Sequence, residues 1–313
     1  MLTPGKLLLH LYHRPIGRCR DSLRNGGPIA EWRTDCARRE MEAAASMLPE
    51  LPDYQSLSPA IVHVMTGRNF WYQTLFCLHS LSRAAQTTVF AELYDDGTID
   101  AECVRLIRRL GPRVRLHPAE DTLARLDAYL PVSRFPVLRE RWTHYPNIRK
   151  LIDVHLGRSD WKLVLDSDLL FFRRPQALLQ WFTGPDRPLH AVDCAESYGY
   201  SRELMERLAG VPIPSKVNVG VCALRSEAID WEMLESWCAE LIAREKTHYY
   251  LEQALVAMLM ARQPDRIVLP AAEYLTKPDE AEACAPRAIM HHYVAESKRW
   301  YFRHGWRHIP SLS

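Results

Sequence analysis

The sequence predicts a mostly parallel α/β sheet flanked by helices, and three observations point that way. Short apolar runs alternate with stretches of helical apolar spacing along most of the chain, with no repeat and no low-complexity segment. Polar side chains (Thr66, Asp95, Asp166, Asp193 and His292) stand at or just after the ends of those runs, the edge at which such sheets bind ligands. One apolar run, Lys162-Leu163-Val164-Leu165, leads straight into Asp166-Ser167-Asp168 and is followed by Leu169-Leu170-Phe171-Phe172.

Residues 1–58 are rich in Arg, Pro and Gly and read as an N-terminal extension. One helix is expected near Thr34–Met47, capped by Thr34 or Asp35 and stopped by Pro49 and Pro52. The main domain, 59–313, opens with a buried strand at Ala60–Met65 and a helix at Phe70–Arg83, where Leu75, Leu78 and Leu81 share a face. Thr87–Tyr94 is a second strand, ended by the turn signal Asp95-Asp96-Gly97. A helix at Ile99–Leu110, a strand at Arg113–Leu116 and a helix near Asp121–Tyr129 follow. Helix Tyr145–Leu156 leads into the strand that starts at Trp161. Pro175 starts another helix, as suits its preference for the first turn. Leu189–Val192 and Val217–Leu224 read as strands, Ala228–Arg244 and Tyr250–Ala261 as helices, and Ile267–Leu269 and Ala288–His291 as short late strands.

Composition narrows the function classes. With 40 basic and 38 acidic residues the formal net charge is +2, so nothing in the bulk points to a nucleic acid. Arginines cluster around 14–39, 105–115 and 299–307, as a solvated surface does; a membrane surface or an anionic substrate is the other reading. The eight cysteines stand singly, without a Cys-x-x-Cys, which argues against a thiolate zinc site and for a reducing, cytoplasmic compartment. The apolar stretch Leu7–Leu11 is too short for a signal peptide core, and no run approaches a membrane span. Thr66-Gly67-Arg68-Asn69 has a single glycine where a dinucleotide fingerprint needs three. A Walker A sequence and a Gly-x-Ser-x-Gly elbow are also lacking, so Rossmann oxidoreductases, P-loop NTPases and α/β-hydrolases lose ground.

In an extended chain, residues i and i+2 point to the same side, roughly 6–7 Å apart at the backbone. Asp166 and Asp168 therefore converge, and a hard divalent cation can lie between their oxygens. Near the C-terminus, His291-His292-Tyr293 offers an imidazole that could complete such a site, and Lys298 a charge that could neutralise a diphosphate. Taken alone, His292 has a plainer reading, as a structural or surface histidine.

Leu165-Asp166-Ser167-Asp168 resembles the DxD signature of nucleotide-sugar glycosyltransferases of the GT-A fold, a Rossmann-like type. Three further segments in the same order make the chain similar to glycosyltransferase family 8 over about residues 60–302. Asn218-Val219-Gly220-Val221 resembles that family's Asn-x-Gly-Val strand, and Glu252-Gln253 its acidic residue followed by Gln. His292-Tyr293, Lys298 and Trp300 match the spacing of its His-Tyr-x-Gly-x-x-Lys-Pro-Trp segment, with Ala295 in place of Gly and Arg299 in place of Pro. Arg149, seventeen residues before Asp166, fits the family's donor-contacting Arg. After the first strand the family usually presents acidic residues to the nucleotide base, where this chain has Thr66-Gly67-Arg68.

The resemblance implies a metal-dependent, retaining transferase that moves a sugar from a nucleotide-diphosphate sugar to a hydroxyl on a glycan or lipid-linked acceptor. It implies that Asp166, Asp168 and His292 hold Mn²⁺ or Mg²⁺, and that Thr66, Gly67, Arg149, Gly220 and Lys298 bind the donor together with Asp166. Asp193 and Arg149 would reach the donor sugar or its phosphates, Asn218 the region where the acceptor approaches, and Gln253 the anomeric carbon. Asn218 could instead satisfy backbone groups at its strand start, and Gln253 could be a capping or surface residue at its helix start. Trp300, Tyr301, Phe302 and Trp306, set among arginines, read as packing, with peripheral membrane docking as the second reading. Two rival functions stay open. One is a catalytically silent nucleotide-sugar binder or assembly partner; the other is a phosphatase of the haloacid dehalogenase type, disfavoured by Leu170 two residues after the second Asp. The oligomeric state is not set by any of these features.

Overall fold

The computed structural model describes residues 26–56, 58–263 and 265–309. Cys19, the Leu7–Leu11 run and the first arginines of the N-terminal cluster lie outside the described residues. In chain order the strands are β1 (Ala60–Thr66), β2 (Val89–Asp95), β3 (Val114–His117), β4 (Trp161–Leu165), β5 (Leu169–Phe171), β6 (Leu189–Val192), β7 (Val217–Arg225), β8 (Ile267–Val268), β9 (Tyr274–Thr276) and β10 (Met290–His292). The helices are α1 (Pro28–Ala45), α2 (Trp71–Ala85), α3 (Ala101–Arg108), α4 (Ala119–Tyr129), α5 (Pro136–His144), α6 (Arg149–His155), α7 (Gln176–Thr183), α8 (Arg202–Ala209), α9 (Trp231–Glu245), α10 (Leu251–Ala261), α11 (Glu280–Cys284) and α12 (Lys298–Arg303).

Seven strands form one sheet in the order β3-β2-β1-β4-β7-β6-β8. All its pairings are parallel except those of β7, which runs antiparallel to both β4 and β6. Parallel strands need crossover helices, and these cover both faces. One apolar layer joins the sheet to α1, α2, α3 and α7; the other joins it to α5, α6, α8, α9 and α10. Strands β5, β10 and β9 make a second, small sheet, with β10 antiparallel to β5 and parallel to β9. The chain passes from the large sheet to the small one within Asp166-Ser167-Asp168. His292 therefore lies in the small sheet, paired with Leu169, and not on the edge of the main sheet where the sequence reading set it.

Several boundaries shift for local reasons. Helix α1 begins earlier than expected, with Pro28 in its first turn; Thr34 Oγ1 donates to the Ala30 carbonyl inside the helix, and Asp35 pairs with Arg38 and Arg39. Asp230 caps α9 by accepting from the Met233 N–H at 3.1 Å, so Ser226–Ala228 becomes a separate 3₁₀ turn. The expected helix Tyr145–Leu156 is split by Pro146, which starts a 3₁₀ turn at Pro146–Ile148 ahead of α6.

The aromatic cluster at the C-terminus serves packing. Tyr301 and Phe302 are buried, Trp306 meets Phe76 edge-on at 5.3 Å, and Trp300 carries the guanidiniums of Arg299 and Arg303 on its ring. Of the four rings, Tyr301 and Phe302 are thus in the core, and Trp300 and Trp306 are half-buried against it. Among the described residues no helix is long and apolar enough to cross a membrane, and seven cysteines (Cys36, Cys77, Cys103, Cys194, Cys222, Cys238 and Cys284) are free thiols.

Helix α1 buries Ala37, Met41 and Ala45, one stripe at i, i+4 and i+8, against α2 and α12. Leu48 and Leu51 continue that contact into the same core as the sheet. Met41 is fully buried, so Met41→Ala is expected to lower the unfolding free energy by about 2–5 kcal/mol, measured by urea denaturation. A loss below about 0.5 kcal/mol, the range of a neutral surface change, would show that α1 is not part of the folded unit.

Candidate active site

The site grows out of the turn between the two sheets. The Asp166 N–H extends the β4–β7 ladder by donating to the Gly220 carbonyl at 2.8 Å, and the Tyr293 N–H donates to the Asp168 carbonyl at 3.1 Å. Both aspartates are thus fixed from opposite sides. Their carboxylates converge across a turn at Ser167-Asp168, not along an extended strand as the spacing predicts, and His292 comes over from β10 to join them. One ligand atom from each of the three lies within 4.8 Å of the others. His292 Nε2 is 3.2 Å from Asp168 Oδ1 and 3.5 Å from Asp166 Oδ2.

Two lysines complete the cluster. Lys150 Nζ sits 2.8 Å from Asp166 Oδ1 and 3.8 Å from Glu252 Oε2, and Lys298 Nζ sits 3.1 Å from Asp168 Oδ2. Burial would raise both aspartates. Lys150 and His292 outweigh it at Asp166, and Lys298 and His292 outweigh it at Asp168, so both stay below the usual carboxylate range. Burial would also lower Lys150, but Asp166 and Glu252 hold it charged. Glu252 goes the other way, pushed up to about 7 by burial although Lys150 opposes the rise. Asp168 Oδ1 is buried and has no partner but the His292 imidazole 3.2 Å away. Such a buried carboxylate oxygen beside an imidazole nitrogen and a second carboxylate is the donor set a divalent cation takes.

Two cavities meet at this cluster. One, about 500 Å³, runs along Asp193, Asn218, Gln253, Tyr249, Tyr250 and Lys277. The other, about 140 Å³, lies under Thr66, Phe70 and Asp96 at the end of β1. Asn147, Lys150, Asp166, Asp168 and Lys298 line both. A long ligand can therefore lie across the cluster with one end in each cavity. At the mouth of the larger one, Lys277 and Glu296 pair at 2.7 Å. Beside them Ala295 holds a left-handed backbone (φ 48°), the conformation that the glycine of the resembling segment adopts without strain.

The residues expected from the sequence fall in three groups. Asp166, Asp168, His292, Lys298, Asp193, Asn218, Gly220 and Gln253 all border the larger cavity. Gln253 Nε2 donates to Asp193 Oδ2 at 2.9 Å and to the Val217 carbonyl at 3.0 Å, so these two form one unit. Thr66 lines the smaller cavity, its hydroxyl accepting from Thr74 at 2.9 Å. Gly67 serves its neighbour: a Cβ there would fall 2.1 Å from Asp96 Oδ2, so only glycine lets that carboxylate lean over the end of β1.

Arg149 borders neither cavity. Its guanidinium lies 4.3 Å from the Trp142 ring centre and donates to the carbonyls of Trp142 and Asp96 at 3.2 and 2.5 Å. Pro146 delays the helix so that α6 starts at Arg149 itself, and Lys150 is the side chain that faces the cleft. Sequence reasoning missed Lys150, and with it Asn147, Asp96 and the two tyrosines. The signal available was the Arg149-Lys150 pair, with no means of telling which member turns inward.

His292 is the group whose charge reports on the site. Burial would lower it, but Asp168 and Asp166 lift it from 6.5 to about 9. A value raised on folding means that the interaction is fully present below about pH 6.5 and fades as pH rises through about 9. In metal-free protein, the melting-temperature advantage of the wild type over His292→Asn is therefore expected to shrink across that window. A difference that stays constant over it would contradict an imidazolium held between two aspartates.

Among solved structures, the chain is similar to the galactosyltransferase LgtC, solved in complex with donor and acceptor sugar analogues. The TM-score is 0.51 and the identity 16%, over 75% of this chain and 87% of that one. Mouse xyloside xylosyltransferase 1 and the bifunctional glycosyltransferase WbbM each give a TM-score of 0.48 at 14% identity, over 75% and 77% of this chain and 97% and 46% of theirs. No protein-family model matches the chain, and no curated protein sequence matches it significantly. The chain has the fold of the GT-A glycosyltransferases.

Proposed function

We propose that this chain is a glycosyltransferase that moves a sugar from a nucleotide-diphosphate sugar to a hydroxyl of a glycan or lipid-linked acceptor, with retention at the anomeric carbon. One observation carries the reading: Asp166, Asp168 and His292 converge at the junction of two cavities, with Lys150 and Lys298 beside them. The bond to be broken joins the anomeric carbon to a diphosphate oxygen, and the departing nucleoside diphosphate gains negative charge. A divalent cation held by the three ligands, Mn²⁺ or Mg²⁺, supplies Lewis-acid stabilisation of that charge. Lys298, near the open side, adds a positive charge that can meet the leaving phosphate once a cation takes over its partner Asp168.

The division of the cleft suits such a donor. The smaller cavity, with Phe70 for stacking and Asp96 as an acceptor, takes the nucleoside, and the larger one takes the sugar and acceptor. Glu252, Asp193 and Gln253 would bind and orient the sugar's hydroxyls. Gln253 is a poor nucleophile, and its amide nitrogen is already held by Asp193 and Val217. A same-face route follows: the acceptor oxygen bonds to the anomeric carbon as the diphosphate leaves, and the acceptor proton passes to the leaving oxygen. The glycosyltransferase-like fold favours this reading over a phosphatase. A cytoplasmic, reducing location fits the scattered single cysteines.

Thermal-shift screening of nucleotide sugars with and without Mn²⁺ tests the reading, with one donor expected to stabilise the protein only when metal is present. Asp168→Ala is expected to slow metal-dependent donor hydrolysis by at least about 100-fold. Tight donor binding that ignores metal and leads to no turnover would instead identify a silent nucleotide-sugar binder. A shift for none of the donors would overturn both.

A further inference from the structure

The Asn218 side chain is 2% exposed and lies behind His292, on the side away from the two aspartates. Its Oδ1 accepts from the Gly220 backbone N–H at 2.8 Å and lies 3.1 Å from His292 Nδ1. Its Nδ2 lies 3.4 Å from Thr276 Oγ1, and that hydroxyl donates to the Val192 carbonyl at 2.9 Å. Both ends of this chain of bonds are backbone groups whose roles cannot be exchanged. The Gly220 N–H can only donate, so the atom facing it must be the amide oxygen. The Val192 carbonyl can only accept, so the Thr276 hydroxyl proton points to it and leaves an oxygen lone pair for the Asn218 N–H.

With Oδ1 fixed as an acceptor, His292 Nδ1 must carry a proton. The opposite tautomer would set two lone pairs against each other at 3.1 Å, in a place where His292 is 4% exposed and water cannot relieve them. When the ring is neutral its lone pair is then on Nε2, the nitrogen that faces Asp166 and Asp168. Gly220 fixes the ring's position by shape: a Cβ there would stand 2.3 Å from His292 Cε1.

We propose that Asn218, clamped by Gly220 and Thr276, is a positioning residue that locks His292 in the tautomer and orientation needed to ligate a divalent cation through Nε2. The proposal rests on the metal-binding reading of the site and moves Asn218 away from the acceptor-side role that the sequence pattern implies. Both lone pairs of its Oδ1 are occupied inside the protein. Partners of this kind orient ligating histidines, and their loss typically weakens metal binding by about 10–100-fold.

The test uses the full chain, stripped of metal and titrated with Mn²⁺ alone, followed by electron paramagnetic resonance. Histidine nitrogen coupling is read from the electron spin-echo modulation, and folding is checked by melting temperature. Asn218→Leu keeps the size but offers no acceptor; it is expected to weaken Mn²⁺ binding by about 10–100-fold and to lose the nitrogen modulation. Asn218→Asp keeps an acceptor oxygen and is expected to retain both affinity and modulation. Thr276→Val, which frees the far end of the amide, is expected to give a smaller loss in the same direction and stands in if Asn218→Leu does not fold. Wild-type affinity and modulation in Asn218→Leu would overturn the proposal, as would an Asn218→Asp protein as weak as Asn218→Leu. Wild-type protein that takes up no Mn²⁺ would overturn the metal reading itself, an outcome distinct from both.

Discussion

Two carboxylates held on one side of a tight turn repel each other, and the rest of the site depends on how that repulsion is met. At an effective dielectric near 20, like charges about 4 Å apart repel by about 4 kcal/mol, a large fraction of a domain's net stability. The fold answers with cations drawn from three separate elements: Lys150 from α6, Lys298 from the start of α12 and His292 from β10. None of these is close in sequence to the aspartates. The cluster can form only when the large sheet, the small sheet and the C-terminal helix have all docked, so the site's geometry and the chain's tertiary structure are one arrangement.

That arrangement also explains why a ligand with negative charge suits the cleft. Each aspartate already has an ammonium partner, and the other oxygen of Asp168 has only the His292 imidazole beside it. A cation that binds there displaces the imidazolium proton and finds the carboxylates already gathered, which lowers the cost of assembling its ligands. The lysines, relieved of part of their pairing, can then turn toward phosphate oxygens. Glu252, raised to about 7 by burial, sits on the side of Lys150 where a sugar's hydroxyls would lie.

Much of this was legible in the sequence because it depends on short-range geometry. A strand run into Asp-Ser-Asp marks two neighbouring carboxylates at a strand end, although a turn held by Gly220 and Tyr293 is what brings them together, and the alternation of apolar runs marks the fold class. What escaped depends on direction and on long-range contact. Periodicity marks Val217–Leu224 as a strand but carries no sign for which way it runs, so the placement of Asn218 at the ligand edge was not readable from strand ends. Strands β5 and β9 have three residues each, too few to show an alternation, and the second sheet was invisible with them. Arg149 and Lys150 are both long and basic. Only the break at Pro146, a detail of backbone geometry, decides that the lysine faces inward and the arginine braces Trp142 and Asp96.

The reversed strand β7 has a consequence of its own. Asn218 and Gly220 are two residues apart on its first turn into the sheet, so both face His292, while Val217 and Val219 face the other way. Sliding β7 by a single residue against β4 would keep every ladder bond countable and the apolar total almost unchanged, yet it would turn both residues away from the imidazole. A slip of this strand would therefore disturb the candidate site with both aspartates left unchanged. In this chain the geometry of the candidate site is encoded partly as a register, a property that belongs to no single side chain.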